Sequence, residues 1–79
     1  MNNLEYVYIV GKIATEMGFM KVEFWLSPGS ISYIQKVGSR RILIHLVDGL
    51  IIEAKKSAEE LLSEIDRVKQ VNKYIIQKN

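Results

Sequence analysis

The chain has no cysteine, one proline, one histidine and one tryptophan in 79 residues. The lack of thiols removes disulfides and thiolate metal sites, and it fits a reducing compartment, so a cytoplasmic protein is expected. There is no long apolar run either. The apolar stretch of MNNLEYVYIVGKI is interrupted by Lys12. Nothing approaches the roughly 18 residues that a membrane span needs, and no basic leader precedes it. Charge of one sign is also scarce: Lys plus Arg number 11 against 9 for Asp plus Glu, an excess too small to imply a polyanionic partner without local clustering. Gly11 and Gly18 lack the spacing of a dinucleotide fingerprint, and no Lys-Ser/Thr pair completes a P-loop. Ser27, Ser30, Ser32 and Ser39 have no nucleophile-elbow context. These absences argue against an enzyme and against any cofactor or metal.

What the sequence does contain is 48% apolar residues against 25% charged ones, which specifies a folded chain. At this length it forms one domain, and small domains bury only about 60–65% of their unfolded surface. Further apolar surface is therefore expected to be covered by a partner, with a homodimer or other homo-oligomer the leading expectation. The pattern predicts strands at about 5–13, 19–26, 31–36, 41–47 and 50–54 and a helix at about 58–77. This is an α+β fold, a small antiparallel sheet of four to five strands with one long C-terminal helix packed across it. Ala14 to Gly18 reads as a turn or a single helical turn, and Pro28-Gly29 as a tight turn. Lys36 to Arg41 reads as a basic loop.

Parity sharpens the Asp48-Gly49 turn. A two-residue loop would put Glu53 on the same face as Ile42, Ile44 and Leu46, burying an unpaired carboxylate. A three-residue loop with Gly49 left-handed instead pairs Leu46 with Leu50, Ile44 with Ile52 and Ile42 with Ala54. Leu43, His45, Ile51 and Glu53 then point away from the core. Downstream, Ser57 and Glu60 form a capping box ahead of the apolar series Ala58, Leu61, Leu62, Ile65 and Val68.

Two groups of residues are candidates for function. The hairpin register brings Lys36, Arg40, Arg41, Lys55 and Lys56 toward the helix N-terminus, a possible anion or nucleic-acid patch, although no aromatic side chain interleaves with these cations. Interface candidates are Trp25, which points away from Phe24 and Leu26, and the outward-facing Leu43, His45 and Ile51. A helix of twenty residues spans about 30 Å and overhangs strands of about 17–20 Å, so Val71, Tyr74, Ile75 and Ile76 also need cover. Asn72 sits within the same seam, where it could fix dimer register. His45 with Glu53 alone is too thin a constellation for acid-base or metal chemistry.

From Glu23 to Ile65 the stretch EFWLSPGSISYIQ and then ILIHLVDGLIIEAKKSAEELLSEI resembles the FlbD/SwrD family of small flagellar and swarming-motility proteins. Phe24, Leu26, Ile31, Ile34, Leu46, Asp48, Gly49, Ser57 and Glu60 fill the family's positions. The resemblance implies a non-enzymatic protein-protein interaction module assisting flagellar or swarming function. A weaker similarity links SISYIQ, IHLVDG and the Ser-led helix to the first half of a LytTR-type DNA-binding domain, which implies nucleic-acid binding as the alternative. A small phage or accessory inhibitor of a host complex is the third reading.

Overall fold

The computed structural model describes the backbone of residues 6–78 and the side chains of residues 6–68. The elements are β1 (Val7–Thr15), β2 (Gly18–Leu26), a 3-10 turn (Pro28–Ser30), β3 (Ile31–Gly38), β4 (Arg41–Leu46), β5 (Ile51–Ala54) and α1 (Ala58–Lys78). All strand pairs are antiparallel, and the order across the sheet is β2-β1-β5-β4-β3. The helix packs against one face. The protein is thus a small α+β domain.

Alternation of side chains builds the core. Val7, Ile9, Leu26, Ile42, Ile44, Leu46, Ile52 and Ala54 turn inward from the strands, and Leu61 and Val68 meet them from α1. Leu62 belongs to the same apolar series, yet it is exposed at the rim of the helix. Ile31 and Ile34 differ in parity, so a regular strand would send one of them outward. A register shift between Ile31 and Tyr33 adds one residue to β3, and both isoleucines pack against the core.

The Asp48-Gly49 turn has the bulged form. Gly49 has φ +98°, its N–H donates to Leu46 O at 3.0 Å, and Ile44 pairs with Ile52 and Ile42 with Ala54. The β1–β2 hairpin turns through Glu16 and Met17, where the Thr15 hydroxyl accepts from the Met17 N–H and donates to Gly18 O. The segment from Lys36 to Arg41 departs from expectation. It is not a loop: β3 continues to Gly38 with a second register shift, and the connection shrinks to Ser39 and Arg40.

Consecutive strands β2 and β3 occupy opposite edges of the sheet. Four strand spacings amount to roughly 19 Å across a flat sheet, whereas the five Cα steps from Leu26 to Ile31 reach at most about 18 Å when straight. Part of that link is coiled into the 3-10 turn, so the sheet must curl and bring its edges together at the Leu26 end. The curl closes through a short bridge between β1 and β5, Gly11 opposite Ala54 and Lys12 opposite Glu53. A Cβ at Gly11 would lie 2.5 Å from Ile52 Cγ2 and 2.7 Å from Glu53 O, so only glycine permits this approach.

Candidate interaction surface

The capping box forms as expected from Ser57 and Glu60. The Glu60 N–H donates to Ser57 Oγ at 3.0 Å, and the Ser57 N–H donates back to Glu60 Oε1 at 3.3 Å. These bonds, with help from Arg40, hold the Glu60 carboxyl below its ordinary pKa. Two of the amides at the helix N-terminus, those of Ser57 and Glu60, are therefore already served from within the chain.

The hairpin register does gather Lys36, Arg40, Arg41, Lys55 and Lys56 at one end, but four of them meet carboxylates. Arg40 bonds Glu60 at 2.8 Å, Arg41 bonds Glu53 at 2.9 Å and Lys56 bonds Glu64 at 2.8 Å, while Lys36 approaches Glu59 at 3.9 Å. Among the described residues, only Lys55 of the five makes no ion pair. The acids responsible lie on β5 and the first turns of α1: Glu59 and Glu60 partly neutralise the cluster as the sequence suggests, and the fold adds Glu53 and Glu64.

The outer face of the sheet, opposite the helix, is richer. Tyr8 and Trp25 are cross-strand partners with ring centroids 5.0 Å apart, and Trp25 remains 54% exposed. Tyr33 stacks on His45 at 4.0 Å with an interplanar angle of 11°. His45 Nε2 lies 3.0 Å from Gln35 Oε1; since a carbonyl oxygen only accepts, Nε2 carries the proton in this bond. Glu53 is engaged by Arg41, so His45 has no carboxylate to orient it. Leu43 is half-buried between Gln35 and Glu53, and Ile51 is exposed beside His45. Val10 and Phe19 extend the apolar surface, Phe19 at 70% exposure.

Charge on this face is arranged around a groove of about 450 Å³ lined by Val10, Gly11, Lys12, Lys21, Glu53 and Lys55. Lys12 and Lys21 stand directly opposite each other, and among the described residues neither makes an ion pair. Glu23 accepts from the Tyr8 hydroxyl at 3.0 Å, which with partial desolvation raises the Tyr8 pKa above its ordinary value. Among the described residues no group of three or more His, Cys, Asp or Glu side chains could hold a metal ion.

No protein-family profile, curated protein or solved structure matches the chain. Trp25, Leu43, His45 and Ile51 do lie on one face, joined there by Tyr8, Val10, Phe19 and Tyr33, which the sequence reading left out. Alternation in β1 and β2 was a signal for them; what it lacked was the face on which the helix lies. Val71, Asn72, Tyr74, Ile75 and Ile76 lie outside the residues whose side chains are described. No helix among the described residues is long and apolar enough to cross a membrane.

Proposed function

We propose that this chain is a non-enzymatic protein-binding module whose working surface is the outer face of its curled sheet. The observation that carries this reading is the exposure of Tyr8, Val10, Trp25, Tyr33 and Ile51 together on the face opposite the helix. Soluble domains seldom leave so much aromatic and aliphatic surface in one place without a use for it. Aromatic side chains suit such a role because they bury large areas while losing few rotamers. The resemblance to FlbD/SwrD proteins supplies the context, an accessory of flagellar or swarming function that works in the cytoplasm through protein contacts.

The test is a double variant, Tyr33→Asp with Ile51→Asp, expressed in the source organism in place of the natural chain. Both side chains are exposed, so its circular dichroism and denaturant midpoint should stay close to those of the parent. Its cross-linked protein partner and its swarming phenotype should be lost. Retention of both would rule out the outer face. Binding to single-stranded oligonucleotides that weakens steeply with salt would instead favour the nucleic-acid alternative.

A further inference from the structure

The two edges of the sheet are protected unequally. On β3 two register shifts interrupt the edge, the usual way of preventing another strand from adding to it. On β2 there is none: nine consecutive residues from Gly18 to Leu26 pair in unbroken register with β1, and among the described residues no strand lies on the other side. The strand contains no proline, and Phe19, Met20 and Trp25 on it are exposed by 70%, 50% and 54%. A long regular edge left open in this way is a template for pairing.

Its sequence is a chemical palindrome. Val22 is the midpoint of β2, and the residues around it are Lys21 and Glu23, Met20 and Phe24, Phe19 and Trp25, then Gly18 and Leu26. An antiparallel pairing of two copies about a two-fold axis at Val22 sets Lys21 against Glu23 of the second copy, and Glu23 against its Lys21. Phe19 falls opposite Trp25 on the same face, and Met20 opposite Phe24 on the other. Outward backbone groups alternate along an edge strand, so only registers centred on a residue bring donors to acceptors. Centring on Lys21 or Glu23 would oppose like charges, and centring farther along shortens the overlap. Val22 alone pairs all nine positions and both charge pairs.

We infer that β2 is a self-association edge, at which a second copy of this chain pairs through its own β2 to form one ten-stranded sheet. Two features inside the single chain fit this occupant. Lys21 has Lys12 directly across from it on β1, and Glu53 stands on the far side of Lys12, so the carboxylate that Lys21 lacks on its own open side is supplied by Glu23 of the second copy. At the Leu26 end, where the curl narrows the gap to β3, the incoming residue is Gly18, which has no side chain to accommodate. The edge shares Trp25 with the face proposed for partner binding, but the pairing is made by the backbone of β2 and does not depend on that reading.

The experiment is light scattering on the intact chain at micromolar concentration, with charge reversals at the two paired positions. Lys21→Glu and Glu23→Lys should each convert two attractive pairs into two repulsive ones and raise the dissociation constant roughly tenfold or more. The double variant Lys21→Glu, Glu23→Lys restores opposite charges across the axis and should recover the dimer. Circular dichroism separates loss of pairing from loss of folding. As a second measurement, Val22→Cys places the only thiol of the chain on the axis, where cross-strand Cβ atoms lie about 4.5–5.5 Å apart. Under oxidation it should form a covalent dimer, whereas Ser39→Cys in the turn between β3 and β4 should not. A monomeric intact chain, or a dimer insensitive to both single reversals, would overturn the inference. The Tyr33→Asp, Ile51→Asp variant should remain dimeric, so failure of this inference and failure of the partner-binding proposal give different results.

Discussion

Two glycines show how a single missing Cβ can be needed for opposite reasons. Gly49 needs none because its φ of +98° disfavours every L side chain, although open space surrounds it. Gly49→Ala should lower stability by about 1 kcal/mol, seen as a shift in denaturant midpoint with the m-value unchanged. Gly11 has ordinary backbone angles but no room, since Ile52 and the Glu53 carbonyl occupy the place of its Cβ. Gly11→Ala should cost about 1–3 kcal/mol, because β1 and β5 must separate where the curl closes. The same denaturant titration measures both, and a neutral Gly11→Ala would mean that this bridge is looser than its distances suggest. The first glycine is legible in the sequence because Asp-Gly chemistry and the parity of Ile44 and Ile52 are local. Nothing near Gly11 in the chain announces β5, which arrives from some forty residues downstream.

Among the elements, the helix start is the most fully specified. Ser57 and Glu60 satisfy each other's backbone amides, and Glu60 also receives Arg40. Ser57→Ala should cost about 1 kcal/mol, the usual worth of an N-cap, and should lower helical circular dichroism before the sheet is lost. The pH dependence has a definite sign. Glu60 has a folded pKa below its unfolded value, so its contribution is complete above the unfolded pKa and disappears as pH falls through the folded one. Acidification through the carboxylate range should therefore narrow the difference between Ser57→Ala and the parent only by the part owed to the bond from the Ser57 hydroxyl to the Glu60 carboxylate, while the bond from the Glu60 N–H to Ser57 Oγ persists. The contribution is small, because the group is exposed to solvent. β3 makes the contrasting case at this scale. Its two register shifts place Ile31 and Ile34 on one face and convert an expected basic loop into strand, and both follow from pairing with β4 rather than from the composition of β3.

For the whole molecule, one small core carries nearly everything. Ile9, Ile42, Ile44, Ile52 and Leu61 are its largest fully buried side chains, and among the described residues Leu61 is the only one of these that α1 contributes. Leu61→Ala should cost about 2–5 kcal/mol. That is a large share of the roughly 5–15 kcal/mol that stabilises a typical domain. A broadened, low-temperature unfolding transition would show it, and a midpoint close to that of the parent would mean that the helix is not held by this residue. The amino-acid sequence by itself determined the antiparallel strands, the bulged Asp48-Gly49 turn, the β4–β5 register and the capped helix. Each of these rests on side-chain periodicity, turn dihedrals or hydrogen bonds between near neighbours. Only the tertiary structure decided that β2 and β3 lie at opposite edges, that the sheet curls, and that Arg40, Arg41 and Lys56 are matched by acids from other elements. The physical reason is that strand order and charge pairing are set by how far a short link can reach and by which surfaces share one core, and both become defined only when distant segments pack together.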